Sequence, residues 1–180
     1  MAFYKLPPED VTDLVNEVIH AHHPRLVENE VTVDVLMAFA SENGFAILVR
    51  GVPAYASAKI IRHMDRVAGF GDCRITIDGD QWPHFPVETQ RAIIDHELTH
   101  FELQRDKRTD KVKIDETGRP KLRMRQHDHD LGWYDEVVQR HGNYSIEAMQ
   151  YRQLQEIVKQ RWLFKDMDEQ LKKSSKKGRR

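Results

Sequence analysis

The run from Val87 to Gln104 constrains this chain more than any other stretch. It holds no Gly and no Pro, so nothing in it interrupts a helix, and a helix is expected over about 87–104. Val87, Ile94, Leu98 and Phe101 share one face at a 3.6-residue period and mark the side that turns to a core. His96, His100 and Gln104 lie on another face, with Ile93 beside them. Residues 96–100 read His-Glu-Leu-Thr-His. Positions i and i+4 stand one turn apart on the same side of a helix, so two imidazoles can take two corners of one tetrahedral metal site. Zinc favours neutral nitrogen donors, which imidazole supplies. Glu97 projects beside that site, where an unligated carboxylate can take the proton of a water attacking a carbonyl. The five-residue pattern also arises by chance. Here the histidines stand off the core stripe, which favours a metal over two ordinary helix histidines.

The rest of the chain sets limits on that reading. Its 180 residues, 32% charged and 39% hydrophobic, are expected to form one domain with a real core over residues 1–168. No apolar run approaches 18 residues, so no membrane span is expected, and the first ten residues lack the apolar centre of a signal peptide. Cys73 is the only cysteine, which excludes internal disulfides and cysteine-based zinc sites and points to a reducing compartment. The net charge of −1 is unevenly spread. Residues 169–180 form a basic tail, expected to be disordered. Within it residues 172–180 carry six positive charges (Lys172, Lys173, Lys176, Lys177, Arg179 and Arg180) and no negative ones, while residues 1–171 carry 22 basic against 29 acidic side chains, a net −7. Such a tail can make weak contact with nucleic acid or simply solubilise the chain.

In chain order, Pro7-Pro8-Glu9-Asp10 opens a helix whose core face is Val11, Leu14, Val15, Val18 and Ile19 and which ends before Pro24. His20, His22 and His23 gather at its end, where cationic rings suit the helix dipole better than a metal. Val31–Phe39 and Phe45–Val49 read as strands about a turn at Glu42-Asn43-Gly44. Tyr55–Ile61 is ambiguous, Arg62–Val67 reads as a short helix, and Cys73–Asp78 alternates as a strand. Asp78-Gly79-Asp80 reads as a turn, since the remainder of a calcium loop is missing. Residues 111–115 and 120–125 are expected to form a hairpin that returns the chain to the metal helix and delivers Gln126-His127-Asp128-His129-Asp130. If the strand ran on, His127 and His129 would share a side and the two aspartates the other. That parity favours a histidine as third ligand without choosing between the two. Leu131–His141 reads as a helix closed by Gly142. Ser145 caps a last helix over about 145–165 with an apolar face of Ile146, Met149, Leu154, Ile157 and Phe164.

Four segments together carry a resemblance: Ile75–Trp82, Ala92–Leu103, Gly118–Asp128 and Val137–Gly142. Read with their spacing, they resemble the family described as “putative phage metallopeptidase”, over roughly residues 10 to 165. That family is similar to minimal zincins of the SprT type. The resemblance implies an α+β, zincin-like fold, with a small mixed or antiparallel sheet packed on the active-site helix and flanking helices. It also implies a cytoplasmic setting, in the host if phage-encoded. It places the family's His-Asp pair at His127-Asp128, making His96, His100 and His127 the expected Zn2+ ligands and Glu97 the general base of a metallopeptidase acting on protein or peptide. His129, two residues on, is the competing ligand. Residues 73–77 are the implied edge strand for holding a substrate backbone. Tyr134 is a candidate oxyanion donor or simply a packed aromatic. Two rival expectations stand beside this: a non-catalytic protein stabilised by a closed zinc site, and a nucleic-acid-associated role through the tail.

Overall fold

The computed structural model describes residues 2–41, 44–49, 51–128 and 132–157. It is an α+β protein. The sheet is built from β1 (Ala2–Lys5), β2 (Val33–Ala40), β5 (Ala56–Ile60) and β6 (Cys73–Asp78), in the order β1-β2-β6-β5. Strands β2 and β6 are parallel and the other two pairings are antiparallel. Along β6 the side chains alternate as the sequence pattern requires: Cys73, Ile75 and Ile77 are fully buried, and Arg74 and Thr76 are not.

Helix α1 (Glu9–His22) starts behind Pro8 and buries Val11, Leu14, Val15 and Val18. A short α2 (Pro24–Glu28) follows at once. Helix α4 (Val87–Thr99) packs against α1, β5 and β6. Ile94 and Leu98 enter the core as expected, while Val87 is exposed and Ile93 is buried. Between these elements lie the two-residue strands β3 (Leu48–Val49) and β4 (Val52–Pro53), which pair only with each other, and α3 (His63–Val67).

Several expectations are corrected. The strand expected at Phe45–Val49 shrinks to Leu48–Val49 outside the main sheet, whereas the ambiguous Ala56–Ile60 segment joins it. Strand β6 is internal, flanked by β2 and β5, so residues 73–77 offer no free edge; β1 and β5 are the edge strands. The α4 helix ends at Thr99, not near 104, because Phe101–Leu103 becomes a strand, β7, pairing with β8 (Leu122–Met124). The expected pairing of 111–115 with 120–125 is present only around its turn, where Asp115 N donates to the Arg119 carbonyl and Lys121 N to the Lys113 carbonyl, while the regular ladder joins 122–124 to 101–103. The bridges Arg105–Val112 and Ile114–Pro120 and the ion pairs of Asp115 with Arg66 and of Arg119 with Asp72 tie the 111–120 segment to the body. Strand β8 stops at Met124, so strand alternation does not reach residue 127. Helix α5 runs Asp135–His141 and is closed by Gly142 at φ 53°, a left-handed setting that favours glycine.

The last helix, α6, covers residues 146–157 among those described. Ser145 caps it, its Oγ accepting from Ala148 N at 3.1 Å. Only the start of the apolar stripe packs inward: Ile146 lies against the core, Leu154 and Ile157 are exposed, and Glu147 is the most buried side chain of the first turn. Phe164, the helix end expected near 165, the Glu42-Asn43 part of the first turn, His129, Asp130 and the tail lie outside the described residues. Asp78-Gly79-Asp80 is a turn. Asp78 accepts from Ala46, Asp80 and Gln81 backbone amides, and Asp80 from Ala40 N. A Cβ on Gly79 would stand 2.4 Å from the Phe39 ring, so any other residue there would have to displace that ring. Among the described residues no helix is long and apolar enough to cross a membrane.

Candidate metal centre

Helix α4 supplies His96 and Glu97. His100 is its C-cap at φ −64° and ψ −21°, still in helical conformation, so the one-turn relation between the histidines survives the early end of the helix. The chain then leaves along β7 and returns along β8. Arg125 N donates to the His100 carbonyl at 2.7 Å, which fixes the returning strand against the end of the helix. Two residues later His127 arrives beside both histidines. Donor atoms of His96, His100 and His127 all lie within 4.8 Å of one another, and the Nε2 atoms of His96 and His127 are 3.3 Å apart. Two ligands bonded to one tetrahedral zinc at about 2.0–2.1 Å would be separated by about 3.3 Å. Three imidazoles so placed could hold a metal ion, and the spacing of His96 and His127 is that of two ligands on one such ion.

The surrounding groups set the imidazoles. His100 Nδ1 lies 3.1 Å from the Arg125 carbonyl oxygen and 2.8 Å from the Tyr134 hydroxyl, which donates to the same carbonyl at 3.0 Å. A carbonyl only accepts, so it holds the proton of His100 on Nδ1 and leaves Nε2 free. Burial pushes the His100 pKa down to about 4, so the ring is neutral at pH 7. Burial opposes charge on His96 as well. The hydrogen bond His96 donates to Glu147 and the charges of Glu97 and Glu147 outweigh it and hold its pKa above the ordinary value. Glu97 is 7% exposed. Burial pushes its carboxyl up to about 7, with His96 pulling down and Glu147 pushing up. A carboxyl tuned near neutrality is suited to proton transfer.

Tyr134 is fully buried and its ring packs about 5 Å from all three imidazoles. Its hydroxyl is committed to the Arg125 carbonyl. It therefore packs and braces His100, and the oxyanion role has no support here. The centre opens into a cleft of about 870 Å³, lined on one side by Tyr55 and β5 residues such as Ser57 and on others by Val49, Val52, Ile93 and Met124.

Two acidic residues escaped the sequence reading. Glu147 places Oε1 2.7 Å from His96 Nδ1; a glutamate in the first turn of a capped helix is commonplace, so nothing in the sequence marks it. Asp95, fully buried, is hydrogen-bonded to His23 Nε2 at 2.7 Å on one oxygen and to His141 Nε2 at 2.8 Å on the other, with the Arg140 guanidinium ion-paired beside it. Burial would raise its pKa, but these partners hold it well below the usual carboxylate range. The donor atoms of His22, Asp95 and His141 also fall within 4.8 Å. Arg140 already brings a cation to that carboxylate, so this cluster ties α1, α4 and α5 together and is a poor place for a metal.

A family model described as “Putative phage metallopeptidase” matches residues 3–161 of the chain. No curated protein and no solved structure matches it.

Proposed function

Since this chain belongs to the putative phage metallopeptidase family, we propose that it is a zinc-dependent peptidase of zincin-like architecture, with His96, His100 and His127 as ligands and Glu97 as general base. The family implies a hydrolase that uses a metal. The observation that carries the finer reading is the convergence of three imidazoles on one point with Glu97 beside them and an open cleft in front. A bound zinc would acidify a water and draw electron density from the scissile carbonyl.

The chain's own residues do the rest. Neutral His100 offers its Nε2 lone pair without first losing a proton. Glu97, with a pKa near neutrality, takes the proton of the attacking water and hands it to the departing amine nitrogen. The substrate backbone is held by strand addition on β5, which lines the cleft and has no hydrogen-bonded neighbour on its outer side among the described residues. The backbone of β5 is already extended there, so an incoming peptide would run alongside Tyr55, Ser57 and their neighbours toward Glu97.

The test is metal analysis of protein purified without chelators, followed by a proteome-wide cleavage profile with and without chelator. About one zinc per chain and chelator-sensitive cleavage are expected. Stoichiometric zinc with no cleavage of any protein or peptide would instead favour a binding protein with a structural metal.

A further inference from the structure

His96 and His100 need the same tautomer, with Nδ1 protonated and Nε2 bare, if both are to face one metal. His100 obtains it from the main chain, through the Arg125 carbonyl. His96 makes its Nδ1 bond to a side chain instead, Glu147 Oε1, at 2.7 Å. We propose that Glu147 is the positioning residue of the centre, holding His96 in the tautomer and orientation that aim Nε2 at His127 and His100. This rests on the metal-centre reading above.

Three observations carry it. An ionised carboxylate only accepts hydrogen bonds, so the proton of a neutral His96 sits on Nδ1. That leaves the bare Nε2 as the atom 3.3 Å from His127 Nε2. Glu147 is only 2% exposed, and its Oε2 is buried with no hydrogen-bond partner among the described residues. Burying a half-satisfied carboxylate opposes folding, so a merely structural side chain at this position would be apolar, like its neighbour Ile146. The cost is accounted for by the one bond Glu147 does make. Finally, residues 151–157 are exposed, with Gln150 and Tyr151 only touching Trp133 at the surface, so the buried part of α6 is its first turn, where Ser145 sets the helix start and hence the direction of Glu147. A carboxylate on a metal-binding imidazole also strengthens it as a donor, and loss of such a partner typically weakens metal binding 10–100-fold.

The experiment uses the full chain and its Glu147→Ala and Glu147→Gln variants. Zinc affinity is measured by chelator competition. The tautomer of His96 is read from imidazole 15N shifts of the metal-free protein at a pH where the ring is neutral. Expected results are a zinc affinity about 10–100-fold weaker for Glu147→Ala, an intermediate value for Glu147→Gln, which keeps an acceptor oxygen, and a shift of His96 toward the Nε2-protonated form in Glu147→Ala. The metal-free Glu147→Gln protein should melt no lower than the wild type, and it carries the test if the alanine variant fails to fold. A wild type that holds one zinc, with variants that bind it as tightly and keep the His96 tautomer, would overturn this proposal and leave the centre standing. So would a Glu147→Gln variant that loses metal-free stability in step with affinity. A wild type that binds no zinc would overturn both readings.

Discussion

Glu97 is the residue on which chemistry and structure can be separated. Glu97→Gln keeps the volume and removes the base. The expected outcome is unchanged zinc content and a loss of hydrolysis of about 10²–10⁴-fold, checked by metal analysis and single-substrate kinetics on the same preparation. At this scale His96, Glu97 and His100 were legible in the sequence because their relation is local, one helical turn. His127 was legible only through the resemblance. The alternation argument for it assumed a strand that in fact ends at Met124. Glu147 and Asp95 were not legible. Their partners lie 51 and 46 to 72 positions away, and only the packed fold brings those together.

The elements divide in the same way. Helix α1 and strands β2 and β6 announce themselves by period and by β-branched residues, and the structure keeps them within two residues at each end. Strand β5, Ala-Ser-Ala-Lys-Ile, carries little strand propensity of its own. It becomes a strand because β6 offers it a partner. Helix α4 stops early for the same non-local reason, since Phe101–Leu103 finds Leu122–Met124. The register of β5 yields a test. Asp78 N donates to the Tyr55 carbonyl and Ile61 N to the Asp72 carbonyl. The odd-numbered residues of β5 therefore face β6, and Ala56, Ala58 and Ile60 direct their backbone groups outward. Ala58→Pro removes one outward N–H while sparing the ladder to β6. It should lower kcat/KM on an extended peptide about 5–10-fold, roughly one hydrogen bond's worth, with zinc content unchanged. An undiminished rate would show that substrate does not pair along β5.

Across the whole molecule, stability should fall in acid. Burial alone would raise the Asp72 pKa. Hydrogen bonds from Thr32 and the Arg119 and Arg66 guanidinium groups outweigh it and leave the carboxyl below its ordinary value. Its unfolded value is near 3.9. The stabilisation is therefore complete above about pH 4 and is lost as pH drops from there toward the depressed folded value. Asp72→Asn should flatten the melting temperature across that window while lowering it at pH 7. The tail makes a separate prediction: deleting residues 172–180 removes six positive charges and should leave zinc content and melting temperature unchanged. If the tail contacts polyanions, retention on DNA should weaken and lose salt dependence. The central claim, three histidines around one zinc, is tested most directly by native mass spectrometry of the wild type beside His127→Ala and His129→Ala. One zinc per chain in the wild type and in His129→Ala, with little or none in His127→Ala, is the predicted result. A zinc-free wild type, or loss of zinc in His129→Ala alone, would contradict it.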